Sequence, residues 1–293
     1  SEPETAVLLA RRRSALYVPA SNERAVEKSR QLPCDVVILD LEDAVAPEQK
    51  TQAREHAAAT LRAGGFGTRE LVVRVNGLDT PWGAADLAAL QAVATEDAPM
   101  TILVPKVSAA ADLQPFEQVL AGSSKIALWA MIETARSIFR LDDIAATAAR
   151  GRLACLVVGT NDLIKETGFQ SGPDREPLQG ALGLIVLAAR AHGIGVLDGV
   201  FNAIDDTDGF ARQCAQGRAF GFDGKTLIHP NQIAACNAAF TPDAAAIEAA
   251  RRIVEAFASP ENAGRGAIRV AGQMVERLHL VQAQRTLALA GLD

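Results

Sequence analysis

One alternation dominates the chain. From near the N-terminus to about residue 240, eight short, continuously apolar, β-branched runs are each followed by a longer amphipathic stretch rich in Ala, Leu, Glu, Arg and Gln. The apolar runs lie at 14–18, 36–41, 70–75, 101–106, 126–132, 153–159, 195–200 and 225–228, and helices are expected at 23–31, 49–63, 81–93, 109–120, 137–149, 178–192, 209–217 and 232–239. Strands that are apolar throughout rather than at every second residue belong to parallel sheets buried on both faces. An open doubly wound sheet would carry a glycine fingerprint after its first strand. That turn here reads Pro19-Ala20-Ser21-Asn22, so the expected fold is α/β, a (β/α)8 TIM barrel, for which about 250 residues is the usual size. Two further helical stretches, 243–258 and 274–290, follow with a Gly-rich hinge at 260–272 between them. The expected division is a catalytic barrel over 1–240 and a C-terminal helical extension over 241–293.

Composition removes several classes of function. A formal net charge of -6 over 293 residues argues against a nucleic-acid partner, because phosphate-neutralising domains run basic. No apolar run approaches the roughly 18 to 20 residues that span a bilayer, so no membrane partner is expected. Ala6-Val7-Leu8-Leu9-Ala10, ahead of three arginines, is too short for the core of a signal peptide. The cysteines Cys34, Cys155, Cys214 and Cys236 are far apart and form no C-x-x-C pair. They read as reduced thiols of a cytoplasmic protein.

In a barrel the active site gathers at the carboxyl ends of the strands, so the residues that end each run carry the chemistry. These are Asp40-Leu41-Glu42-Asp43, Arg74-Val75-Asn76, Pro105-Lys106, Glu133-Thr134, Thr160-Asn161-Asp162, Asp198, and His229 after Lys225. Carboxylates from Glu42, Asp43, Glu133 and Asp162, with few histidines, describe an oxygen-ligand site suited to Mg²⁺ or Mn²⁺ rather than zinc. A guanidinium such as Arg74 beside that metal would stabilise a developing oxyanion or enolate. The competing chemistry is a Schiff-base aldolase with Lys106 or Lys225 as nucleophile. Ala219–Thr226 fits a loose phosphate-loop pattern, yet it follows a helix and enters a strand, the reverse of the order a phosphate loop requires. Lys225 could still hold the phosphates of a coenzyme.

Several of these blocks together resemble a known family. Arg13 to Pro19, Leu39 to Val45, Val73 to Gly83, Pro105-Lys106, Met131 to Thr134 and Gly221 to Pro230 are similar to the citrate lyase β-subunit-like group, which includes malyl-CoA, β-methylmalyl-CoA and citramalyl-CoA lyases within the HpcH/HpaI aldolase superfamily. The resemblance runs in order from about Arg12 to Ala290. It implies a barrel with a helical extension, assembled as a homotrimer or hexamer. It also implies Mg²⁺ held by Glu133 and Asp162, Arg74 on the 2-oxo acid and enolate, Glu42 and Asp43 ordering the metal's waters, and CoA bound near Arg13 and Lys225. In related lyases an aspartate of the extension acts in proton transfer in a neighbouring subunit. This chain has Glu276 there, and Ala20 replaces a glycine common after the first strand's proline.

The expected function is therefore a Mg²⁺-dependent carbon–carbon lyase that cleaves a 3-hydroxyacyl-CoA of the malyl or citramalyl type to acetyl-CoA and a 2-oxo acid, glyoxylate or pyruvate. Two alternatives stand beside it: a citrate lyase β subunit acting on a citryl thioester, and a non-catalytic acyl-CoA-binding protein.

Overall fold

The computed structural model describes residues 11–94, 99–123 and 125–292, so the apolar segment Ala6–Ala10 lies outside the described residues. Two compact units emerge, Arg12–Asn237 and a second made of Arg11 with the residues from Ala238 onward. In the first unit the chain runs β1 (Ser14–Pro19), α1 (Glu23–Ser29), β2 (Val36–Asp40), α2 (Lys50–Ala63), β3 (Glu70–Arg74), α3 (Gly83–Val93), β4 (Met100–Val104), α4 (Gln114–Val119) and β5 (Ile126–Ile132). It continues with α5 (Ala135–Ile138), α6 (Leu141–Ala146), β6 (Leu153–Val158), α7 (Thr160–Thr167), α8 (Gln179–Ala191), β7 (Gly195–Asp198), α9 (Thr207–Phe220), β8 (Gly224–Leu227) and the start of α10 (Ile233–Phe240). The strands close in sequence order into an eight-stranded barrel, every pair parallel, with β8 returning to β1. The expected (β/α)8 fold is the observed one.

The barrel is a packed core rather than a pore. Val36 and Ile38, Trp129 and Met131, and Cys155 and Val157 occupy alternate positions of β2, β5 and β6 and interlock with Ala15, Val72, Leu103 and Leu197. Alternate residues of a tilted strand face the barrel axis in this way. At the amino end, Arg12 stacks on the Trp129 ring at 4.9 Å and pairs with Glu70. Gly224 opens β8 against the carbonyls of Arg12 and Arg13, where any Cβ would collide with backbone. The loose phosphate-loop pattern resolves accordingly: Phe220 ends a helix, Gly221 caps it in the left-handed region, and Gly224 begins a strand.

Two expectations for coenzyme binding meet a different geometry. Arg13 precedes β1 and so stands at the amino-terminal end of the barrel, where its backbone N–H and its guanidinium both donate to Asp35. Lys225 is fully buried: its ammonium lies 3.2 Å from Asp198 and donates to Gln213 of α9 at 2.6 Å and to the carbonyl of Gly199. Asp198 is also gripped by both Nη atoms of Arg175 at 2.8 and 3.0 Å. Lys225 therefore points between the barrel and its helices, its donors spent on an internal ionic cluster, and no coenzyme phosphate reaches it. Sequence does not tell which side of a doubly buried strand a residue faces.

The second unit holds α11 (Ala244–Ala258), β9 (Ala267–Val270), β10 (Gln273–Glu276) and α12 (Arg277–Leu289). The segment expected to be a hinge contains β9, and β10 takes the first residues of the expected helix 274–290, which begins only at Arg277; the two strands form an antiparallel hairpin turned by Ala271 and Gly272, both at positive φ. Glu276 ends β10 and caps α12, with its side chain exposed. Among the described residues no helix is long and apolar enough to cross a membrane.

The ionic cluster sets a stability expectation. Removing one partner of a buried ion pair leaves an uncompensated charge, so Lys225→Met should cost about 3–5 kcal/mol in urea unfolding. A cost below about 1 kcal/mol, the range of an exposed pair, would contradict the cluster's role.

Candidate active site

The register of β2 and β3 builds the first half of the site. Asp40 is paired with Arg74 across the two strand ends, and their side chains meet in a bidentate ion pair, Nε to Oδ1 at 2.8 Å and Nη2 to Oδ2 at 2.7 Å. The same Asp40 carboxylate accepts the backbone N–H groups of Glu42 and Ala44 at 3.0 and 3.1 Å, which folds the loop after β2 back over the arginine. Tyr17 of β1 lies under the guanidinium at 4.8 Å, a cation–π contact at a buried site. Nη1 remains. It faces Glu42 Oε2 at 3.1 Å and Asp43 at 3.8 Å.

Lys50 holds that loop from behind. Buried in the first turn of α2, its ammonium donates to the carbonyls of Leu41 and Glu42 at 2.9 and 2.7 Å and to Asn76 Oδ1 at 2.8 Å. Asn76 donates in turn to Asp86, which pairs with Arg54. A buried ammonium is tolerated because every proton it offers finds an oxygen.

The second half of the site comes from β4, β5 and α7. Glu133, just past β5 and buried, accepts the backbone N–H of Lys106 on Oε1 at 2.7 Å. Lys106 adopts φ +52°, a conformation rare for a residue with a Cβ. Asp162 sits in the first turn of α7. Gly159, between β6 and α7, passes so close to Glu133 that a Cβ there would overlap the carboxylate. Tyr17, Arg74, Glu133, Thr160 and Asp162 line a cavity of about 280 Å³ at the carboxyl end of the barrel. A larger hollow of about 770 Å³ lies near the amino ends of β3 to β5, but its arginines Arg69 and Arg152 are bound to backbone carbonyls. It gathers no comparable set of buried carboxylates.

The electrostatics are those of an anionic cage short of cations. Burial lifts the Glu133 carboxyl from its ordinary 4.5 to about 8, reinforced by Glu42 and Asp162 and opposed by the Lys106 N–H and Arg74. Burial likewise lifts Glu42 to about 7, with Asp43 and Asp40 adding to it against the pull of Arg74. Glu42 Oε2 is buried and close to Arg74 Nη1, yet no hydrogen bond is aligned on it. The pair is Coulombic. Among the described residues no three His, Cys, Asp or Glu side chains converge tightly enough to cage a metal by themselves. A hard divalent ion asks for less: magnesium commonly takes one or two carboxylates and keeps its other positions for water and substrate. Glu133 and Asp162, carboxylates at the edge of a cavity cleared by Gly159, fit that donor set.

The predicted residues Arg74, Glu42, Asp43, Glu133 and Asp162 are thus brought to one mouth, whereas Arg13 and Lys225 are not, and Glu276 belongs to the second unit. Lys106 and Lys225 also fail the requirements of a Schiff-base nucleophile. Lys225 is sealed, and although burial lowers the Lys106 pKa, Glu42, Asp162, Asp43 and Glu133 outweigh it and hold Lys106 as an ammonium. Lys50 carried no signal in the sequence, Tyr17 stood only within a block of family resemblance, and Asp40 stood among the run-ending acids with no task assigned to it.

Comparison with known proteins agrees with this architecture. The family described as HpcH/HpaI aldolase/citrate lyase matches residues 13–230. The chain belongs to that family. Among curated relatives it is 51% identical over 278 residues to a (3S)-malyl-CoA thioesterase of Cereibacter sphaeroides, covering 95% of this chain and 94% of the relative. It is 33% identical to the L-malyl-CoA/β-methylmalyl-CoA lyase of Rhodobacter capsulatus, covering 93% and 92%. Among solved structures it is similar to the protein CitE of Mycobacterium tuberculosis in complex with magnesium, acetoacetate and coenzyme A, at a TM-score of 0.71 and 32% identity over 95% of this chain and 97% of that one. The family is one of CoA-thioester lyases and thioesterases.

Two outcomes follow for the metal-free protein. The folded pKa values of Glu133 and Glu42 are raised, so these groups contribute stability at pH below about 4.5 and lose it as pH rises through about 7 to 8. Mg²⁺ needs Glu133 ionised, so the rise in Tm that it produces should grow from pH 6 to pH 8.5, and Glu133→Gln should flatten that trend in differential scanning fluorimetry. Gly159→Ala should weaken Mg²⁺ binding by at least about 10-fold in calorimetric titration, since the added methyl displaces Glu133.

Proposed function

We propose that this chain acts on a 3-carboxy-3-hydroxyacyl thioester of CoA, of the malyl type, and that its reaction is hydrolysis of the thioester. The observation that carries the reading is Glu42: its carboxyl stands beside Arg74, borders the hollow that Lys106 also lines, and is raised by burial to about 7, where a general base works best at neutral pH. The 51% identity to a protein named (3S)-malyl-CoA thioesterase, against 33% for one named a lyase, favours hydrolysis over cleavage.

Each residue has a task in this reaction. Glu133 and Asp162 would hold a divalent cation, which when bound supplies Lewis-acid polarisation and a template for paired substrate oxygens. Arg74, with Nε and Nη2 committed to Asp40, presents Nη1 to the substrate carboxylate. Asp43, 60% exposed at the rim, orders water near that position. Glu42 takes a proton from the attacking water as its oxygen bonds to the carbonyl carbon. The carbon–sulfur bond then breaks, and the thiolate leaves and takes up a proton. Arg13 and Lys225 have no part in it.

Carbon–carbon cleavage is the second reading, favoured by the same Arg74, because a guanidinium facing the cavity also suits an enolate. It needs an acid for the enolate carbon, and Glu276 of a neighbouring subunit in a homotrimer or hexamer would supply it. The two reactions give different products. Incubated with (3S)-malyl-CoA and Mg²⁺, the protein should release malate and free CoA, read by mass spectrometry and thiol titration, and no glyoxylate. Glyoxylate with acetyl-CoA would establish cleavage instead, and turnover of a citryl thioester on a carrier protein alone would overturn both. Glu42→Gln should lower kcat by about 10²–10⁴-fold and remove the acidic limb of the rate profile near pH 7.

A further inference from the structure

The carboxyl-terminal mouth is not one cavity but three adjoining hollows. The innermost, about 280 Å³, holds Arg74, Glu133 and Asp162. A second of about 320 Å³ shares Glu133 and Asp162 with it and adds Lys106. A third of about 490 Å³ shares Lys106 with the second and reaches Glu42 and Phe116. Lys106 therefore stands where the outer two hollows join, next to the carboxylates of the innermost one.

Its conformation is unusual in a telling way. Lys106 follows β4 at φ +52°, one of three non-glycine residues at positive φ among the described residues. That backbone turns its N–H onto Glu133 Oε1 while the side chain stays 59% exposed at the rim. A glycine would hold the same turn without the steric cost of a Cβ. The turn thus holds the main chain on Glu133 at some steric cost while the lysine side chain is left at the rim. Its nearest described ion-pair partner is Glu42 Oε1 at 4.0 Å, beyond hydrogen-bond length, with Asp162, Asp43 and Glu133 acting on it from further off, so the ammonium has no described hydrogen bond. Arg74, by contrast, is largely consumed by Asp40, and Lys165 borders only the second hollow.

We infer that Lys106 is a further catalytic residue, whose ammonium donates to the thioester carbonyl oxygen and stabilises the negative charge that grows there. The inference rests on the reading of the substrate as an acyl-CoA thioester, and it holds for hydrolysis and cleavage alike, since both build charge on that oxygen. The innermost hollow, with Arg74, and the second, with Lys106, share Glu133 and Asp162, so a substrate with its carboxylate on Arg74 and its thioester directed outward past Glu133 would carry the carbonyl to Lys106. The left-handed turn does two jobs: it ties Glu133 down through the main chain and frees the side chain to face the substrate.

The test separates backbone from ammonium. Lys106→Gly keeps the left-handed turn and the N–H on Glu133 but removes the ammonium, whereas Lys106→Met keeps the Cβ strain and also removes the charge. Both should lower kcat on malyl-CoA by about 10²–10³-fold, with KM changed far less, no loss of Mg²⁺ affinity, and Tm close to wild type. Lys106→Arg should recover part of the rate. Either variant retaining kcat within about threefold overturns the inference, as does a parallel loss of Mg²⁺ affinity and Tm in both, which would mark a structural role. A binding measurement stands independently of turnover. Wild type should bind the carbadethia analogue of malyl-CoA, which keeps the carbonyl, about 10-fold more tightly than the thioether lacking it, and Lys106→Gly should not discriminate between them. Equal discrimination by both proteins overturns the inference even if the wild type turns over no malyl-CoA, an outcome that would sink the proposed reaction separately.

Discussion

The carboxylate of Asp40 organises this active-site mouth. Buried at the end of β2, it binds two nitrogens of Arg74 on the adjacent strand and two amide N–H groups of the following loop. A carboxylate saturated by charged and neutral donors is stable at low dielectric, where an unpaired one would not be. Three consequences follow from that saturation. Arg74 cannot swing away, its one uncommitted nitrogen is aimed at the cavity, and Glu42 and Asp43 are folded over it. Lys50 completes the clamp from the helix side through the carbonyls of Leu41 and Glu42. The site is thus rigid where it orients charge.

Where the site is not compensated, it is prepared for ligands. Glu133 and Glu42 are raised because burial and mutual repulsion outweigh the cations that the fold supplies. An internal structural cluster looks different: around Asp198, Arg175 and Lys225 balance the buried charge, and the Lys225 ammonium has three oxygen partners. The contrast between the two clusters, one satisfied and one left short of positive charge, separates stability from function in this barrel. A divalent ion bound by Glu133 and Asp162 would remove the shortage.

Much of the architecture was legible because its cause is local. Parallel strands covered on both faces must be apolar throughout, so all eight were visible within one or two residues of their observed bounds. The helix α7 was not, because Thr160-Asn161-Asp162 reads as a polar loop and the helix spans only Thr160–Thr167. The hairpin β9–β10 was hidden by its glycines, Gly264, Gly266 and Gly272, which mark a turn as readily as a hinge. Of the site, the acids and Arg74 were legible as charged residues that end apolar runs. Asp40 was legible as a run-ending acid but its pairing with Arg74 was not, because that is set by register, and nothing in the sequence sets Lys50 apart from the other residues of its helix. Lys225 was misplaced for the converse reason: a lysine at the eighth strand suggests a ligand, and nothing in the sequence tells that Asp198, Arg175 and Gln213 enclose it.

The sequence by itself determined the barrel, its order of strands and the kind of residues that crowd its carboxyl end, because burial dictates strand composition and strand direction dictates which residues reach that end. Only the tertiary structure decided which charges neutralise one another and which remain for a substrate. That partition depends on strand register, which sets Asp40 beside Arg74, on the side of β8 from which Lys225 leaves, which buries it, and on the left-handed turn after β4, which leaves Lys106 at the rim. All three are properties of the assembled sheet and its loops, and none is written in the order of residues along one strand.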